Sequence, residues 1–139
     1  MEMAERQADV VNALLDTIER DDWSHAFVHC EFGDEADLGA LLKEGFLVVS
    51  EAGEPKRAGL LVETEVGQAL RAMRQSYVKA GHGFSSADLV VNADGSYRFE
   101  LGNEPSPRLA GEPDPDARER LRRRFETLVR GGESATSRP

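Results

Sequence analysis

The chain has 139 residues, one cysteine and a formal net charge of −9. That length makes a single domain with enough residues for a sizeable core, one cysteine excludes an intramolecular disulfide and a cysteine-based zinc site, and 6% aromatic residues argue against a stacking platform for single-stranded nucleic acid. No apolar run approaches the ~20 residues of a membrane-spanning helix, and the opening MEMAERQADV places acids where a secretion signal needs bases, so the expected location is cytoplasmic.

Ala4, Val10, Val11, Leu14, Leu15 and Ile18 recur at three- and four-residue spacing, which predicts a helix over 3–20. From Trp23 to Phe32 the period changes to two: Ala26, Val28, Cys30 and Phe32 share one side, and His25, Phe27, His29 and Glu31 the other. A period of two is a strand, and Phe27 on the second side implies some cover there. GDEADLGALLKEG reads either as a turn into a strand or as a short helical insert. Phe46 to Ser50 is β-branched and apolar, a second strand, ended by Glu51-Ala52-Gly53-Glu54-Pro55.

Thr64, a candidate N-cap, precedes a helix with Val66, Leu70, Met73, Tyr77 and Ala80 on one face and Gly81 and Gly83 at its end. SSADLVVNADGSYRFEL, residues 85–101, is a β-hairpin whose Asp94-Gly95 turn tolerates positive φ. Ala87, Leu89, Val91, Tyr97, Phe99 and Leu101 are expected to face inward. A loop with Pro105, Pro107 and Pro113 leads to a last helix opened by Asp114-Pro115 and closed by Gly131, with Ala117, Leu121, Phe125, Leu128 and Val129 as its stripe. The expected domain is 1–131, followed by a disordered tail over 132–139.

The expected fold is therefore α+β, in the order α-β-β-α-β-β-α. A four-stranded antiparallel sheet carries three helices packed on one face, because its dry face is the only large apolar surface they can share. The opposite face is expected to be largely exposed and to display Asp88, Arg98, Glu100, His29 and Glu31.

Few residues suggest chemistry. His25, His29 and Glu31 share a strand face at steps of about 6–7 Å, close enough for two of them to reach one metal ion, but polar residues on a wet face explain them more simply. Cys30 alternates with Val28 and Phe32 and reads as core. Arg118, Arg120, Arg122, Arg123 and Arg124 crowd the last helix among Asp114, Asp116, Glu119 and Glu126, as expected of a solvated, ion-paired face. No phosphate loop, nucleophile elbow or helical zinc motif is present. Residues 1–70 hold 16 acids against 5 bases, and residues 71–139 hold 10 against 12. The first half would repel phosphate and attract a basic partner. Its acids Glu31, Asp34, Glu35 and Asp37 follow the first strand, in a spacing unlike an EF-hand loop.

The helix ending before Trp23 and the acidic stretch Glu31-Phe32-Gly33-Asp34-Glu35 form part of a longer pattern. With them go Leu70 to Tyr77, Phe84-Ser85-Ser86-Ala87, Leu89-Val90-Val91 and Asp94-Gly95-Ser96-Tyr97-Arg98-Phe99. Over most of residues 8–130 this pattern resembles the YezG-like immunity proteins, antitoxins of bacterial polymorphic toxins. The chain has Phe84 where that family usually has tryptophan, and Leu101-Gly102-Asn103-Glu104 where an acidic Tyr-Asp-rich stretch usually follows. The resemblance implies a non-enzymatic, cytoplasmic protein without cofactor or metal. It would bind a toxin domain, often a basic nuclease, and block its active site. Glu31, Asp34, Glu35 and Asp37 are the expected contact residues, and no direct nucleic-acid or membrane contact is implied. A secretion chaperone or adaptor, usually a dimer through an apolar helix face, is the alternative. A small metal-dependent hydrolase using His25, His29 and Glu31, and nucleic-acid binding through the arginine helix, complete the set.

Overall fold

The computed structural model describes residues 2–33 and 41–137, with side chains over 3–33 and 41–130. The elements are α1 (Glu2–Thr17), β1 (Trp23–Phe32), β2 (Leu41–Glu51), β3 (Glu54–Gly59), α2 (Thr64–Lys79), β4 (Ser86–Asn92), β5 (Tyr97–Gly102) and α3 (Ala117–Ser137). The five strands form one antiparallel sheet in the order β3-β2-β1-β4-β5. The α+β class and the three helices match the expectation from sequence.

The sheet has five strands where the sequence predicts four. The additional strand, β3, carries Pro55, Lys56 and Arg57 and is exposed along most of its length. It has no apolar alternation to reveal it, because backbone pairing to β2 holds it rather than burial. A two-residue turn makes that pairing: Ala52 and Gly53 both adopt positive φ, 53° and 81°, the geometry that matches strand twist. β2 is also longer than predicted and begins at Leu41, with Leu41–Lys43 paired to Cys30–Phe32.

The helices do not share one face of the sheet. α1 and α2 cover the side bearing Ala26, Val28, Cys30 and Phe32, where Val10, Leu14, Val66, Leu70, Met73, Leu89 and Val91 complete the larger core. α3 covers the other side through Leu121, Phe125, Leu128 and Val129, over Phe27, Phe46, Val48 and Val90. Four large apolar side chains on that second face are the reason: leaving them wet would forfeit about 1.5–3 kcal/mol each. The Phe46 and Phe125 rings meet edge to face at 6.0 Å. The face expected to be open is thus buried under α3 around the middle of β1.

Other boundaries shift in smaller ways. Glu63, not Thr64, occupies the N-cap of α2, without a side-chain cap bond. Tyr97 and Leu101, expected inside, are 38% and 40% exposed. α3 continues past Gly131 to Ser137.

Candidate functional site

The polar residues of β1 lie on the α3 side of the sheet, beyond the reach of the apolar stripe of α3. The register sets His29 between Glu44 of β2 and Asp88 of β4, with Glu31 two residues further along β1. Three neighbouring strands therefore bring three carboxylates around one imidazole. The loop between β5 and α3 closes over them and contributes Ser106, Arg108 and Asp114.

His29 Nδ1 is 2.6 Å from Asp88 Oδ1, and His29 Nε2 is 2.6 Å from Glu31 Oε2. Carboxylates accept at both ends, so both nitrogens donate and the ring is an imidazolium. Burial depresses the His29 pKa, but hydrogen bonds and charges from Asp88 and Glu31 outweigh it and hold the value above 6.5. Glu31 is 5% exposed. Its carboxylate accepts from His29, from the Ser106 hydroxyl and, at 3.1 Å, from Arg108. Burial alone would raise its pKa; these donors hold it below the ordinary value.

Arg108 joins the loop to the sheet. One terminal nitrogen lies 3.1 Å from Glu31 and 3.0 Å from Glu44, and the other is 3.4 Å from Glu44. Its buried Nε has no hydrogen-bond partner among the described residues; the Asp114 carboxylate is 3.7 Å away. The Ser106 hydroxyl also accepts the Leu109 N–H at 3.1 Å, which folds the loop back on itself. Two further arginines complete the cluster from α3. Arg124 reaches Asp88 at 3.1 Å and Glu100 at 3.0 Å, with its guanidinium 5.1 Å over the Phe27 ring. Arg120 binds Asp114 at 3.2 and 2.5 Å and lowers the pKa of that carboxyl. Five carboxylates thus face three guanidiniums and one imidazolium. Beside them, between α3 and β4–β5, lies a cleft of about 600 Å³ lined by His29, Asp88, Glu100, Arg120, Arg123 and Arg124.

This arrangement is poorly suited to proton transfer. A general base needs a free lone pair, and both His29 nitrogens are protonated and bound. Cys30 points to the opposite face; burial, reinforced by the charge of Asp88, pushes its thiol up to about 12. The metal reading finds no geometry either. His25 shares its Nδ1 with the Ser24 hydroxyl at 2.9 Å, and among the described residues no three histidine, cysteine or acidic side chains are grouped to hold a metal ion.

Arg122 and Arg123 of α3 pair on the helix surface as expected, whereas Arg124 turns to the sheet. Arg122 bonds Glu119 and, at 2.5 Å, Glu126, and Arg123 bonds Glu119 at 3.3 Å. Of the expected contact residues, Glu31 is buried within the chain rather than displayed, and Asp34, Glu35 and Asp37 lie outside the described residues. Sequence reasoning missed Glu44, Ser106 and Arg108. The only hint was a lone arginine in a proline-rich loop; its carboxylate partners are 64 and 77 residues away in the chain. No protein-family model matches the chain, and no curated protein matches its sequence.

Proposed function

We propose that this chain is an immunity protein: a non-enzymatic domain that binds a basic toxin, of the nuclease class by the resemblance described above, and blocks its active site. The observation that carries the reading is the self-sufficiency of the polar cluster. Its imidazole and carboxylates are tied to one another and to Arg108, Arg120 and Arg124, so this part-buried group of titratable side chains acts as internal scaffolding rather than as an active site. The net charge of −9 then acts outward.

Exposed acids gather at one end of the molecule. Asp16 lies in the last turn of α1, Glu19 and Asp21 follow it, and Glu51 and Glu54 flank the β2–β3 turn. The two stretches meet where the Ser50 N–H donates to the Asp22 carbonyl at 3.0 Å. Such a surface draws a basic cleft toward it and raises the association rate. The chaperone alternative receives less support, since the large hydrophobics most exposed among the described residues, Leu61, Tyr97 and Leu101, lie outside the helices.

The test is calorimetry with the toxin domain encoded beside the gene, together with protection of cells that express it. Binding is expected to weaken steeply with salt and to fall when Asp21, Glu51 and Glu54, or Asp34, Glu35 and Asp37, are reversed to lysine. Absence of binding and protection by the unaltered chain would end the reading. Full-strength binding by both reversed sets would remove its electrostatic basis.

A further inference from the structure

The two outer strands of the sheet are built differently. β3 carries Pro55, which has no N–H to donate, followed by Lys56 and Arg57; proline and cations are the usual guards of a sheet edge. β5 reads Tyr-Arg-Phe-Glu-Leu-Gly, with no proline or lysine.

The ladder shows which backbone groups of β5 have no partner among the described residues. The Asn92 N–H donates to the Ser96 carbonyl at 2.8 Å and the Ser85 N–H, just before β4, to the Gly102 carbonyl, while Ala93 N–H donates to Ser24 on the other side of β4. Even-numbered residues of β4 therefore bond to β5 and odd-numbered ones to β1. With Val90 opposite Arg98 and Asp88 opposite Glu100, Arg98 and Glu100 turn their N–H and C=O groups inward. Tyr97, Phe99 and Leu101 turn theirs outward. Their side chains lie on the α1–α2 side, where Phe99 packs against the larger core and Tyr97 meets it edge to face at 6.0 Å.

We propose that the free edge of β5 pairs antiparallel with β5 of a second copy of this chain, centred on Phe99, to give a dimer with one continuous sheet. The strand is complementary to itself in that register. Phe99 meets Phe99 of the second copy and Tyr97 meets its Leu101, so outward-facing groups pair only with outward-facing groups and each pair exchanges two hydrogen bonds. On the α3 side, Arg98 stands opposite Glu100 of the second copy, and Glu100 opposite its Arg98. Within one copy Arg98 Nε and Glu100 Oε2 already lie 3.5 Å apart, so the four charges interleave. The neighbouring registers fail on charge: centring on Arg98 sets two arginines face to face, and centring on Glu100 sets two glutamates. The charge pattern thus selects both the partner and the register. This proposal rests on the strand edge alone and holds whatever the chain binds elsewhere.

Analytical ultracentrifugation of the full chain from about 1 to 100 μM tests it. The unaltered protein is expected to approach twice the mass of the 15.3 kDa chain across that range. Arg98→Glu and Glu100→Arg each set like charges opposite one another and are expected to weaken the dimer by about tenfold or more. An equimolar mixture of the two restores opposite charges at every position across the seam and is expected to recover it, as is the double variant R98E/E100R; Glu100→Arg also gives up the Arg124 ion pair within its own copy, and circular dichroism checks that its fold is kept. Arg98 is exposed and bonded only to Glu100 among the described contacts, so Arg98→Glu keeps the fold, which circular dichroism checks. A monomer throughout, undiminished dimers of both single variants, or no recovery on mixing would each overturn the proposal.

Discussion

His29 Nε2 lies 2.6 Å from Glu31 Oε2 and holds that position as a donor. With Nδ1 donating equally to Asp88, the two carboxylates favour the protonated ring over the neutral one. The contribution of His29 to stability follows from its raised pKa: it is complete below the ordinary value of 6.5 and is lost as pH rises through the higher folded value. Glu31 acts in the opposite sense. Its folded pKa is lowered, so its contribution is present above 4.5 and is lost as pH falls through the folded value. The pair together favours the fold most between these limits. Urea titrations are expected to show the midpoint falling from pH 6 toward pH 9, with that slope reduced in His29→Gln. An identical alkaline slope in the variant would contradict this account.

Arg108 holds the loop between β5 and α3 to the sheet by bridging Glu31 and Glu44. Replacing it by alanine leaves two carboxylates facing one another and one buried, at a cost of about 3 kcal/mol. Arg108→Lys is expected to recover only part of that, because an ammonium group cannot fork across Glu44 while reaching Glu31. Chemical denaturation ranks the three proteins. Limited proteolysis within 103–113 is expected to quicken in the same order. Equal stability of Arg108→Lys and the unaltered chain would show that charge alone suffices.

The sequence was legible where burial follows a period. β1 is the clearest case: Ala26, Val28, Cys30 and Phe32 fall on one core as their spacing requires. Phe27 was the trace of a second core, but a single aromatic residue among His25, His29 and Glu31 is weak evidence beside a polar majority. Phe46, Val48 and Val90 complete that core only once three strands are placed side by side. The side chosen by α3 was therefore a property of the sheet, not of the helix. β3 left no trace, because an outer strand such as Pro55-Lys56-Arg57 is held by backbone bonds that do not call for apolar side chains. The cluster around His29 was hidden for a related reason. Glu44 and Asp88 flank it only through the β1–β2 and β1–β4 registers, and periodicity carries no information about register between distant strands.

Cys30 supplies a chemical check on the larger core. Its thiol is buried on the α1–α2 side and, chiefly through burial, ionises only near 12. A thiol-specific reagent at pH 8 is expected to leave the folded protein unmodified and to react at the rate of global unfolding. Cys30→Ser places a hydroxyl among Val28, Phe32 and Ala87 and is expected to cost about 1–3 kcal/mol. Rapid native-state labelling would place the thiol outside the core.

Gly45 tests the packing of the central strands most directly. It lies opposite Val28 in the β1–β2 pair. A Cβ there would collide with the Phe27 carbonyl oxygen and crowd Leu60 at 3.3 Å and Val62 at 3.4 Å. The carbonyl is fixed backbone in the middle of the sheet, so β2 itself must yield. Gly45→Ala is accordingly expected to destabilise the fold by about 2–3 kcal/mol, the scale of an overpacked core, against the gain that alanine ordinarily brings by restricting the unfolded chain. Gly59, at the end of β3, is the control: a Cβ there meets nothing within 4 Å. Gly59→Ala is expected to be neutral or to stabilise by about 0.5 kcal/mol. The difference between the two variants, read from denaturation midpoints, isolates close strand approach from backbone entropy. Equal midpoints would mean that β1 and β2 do not approach as described.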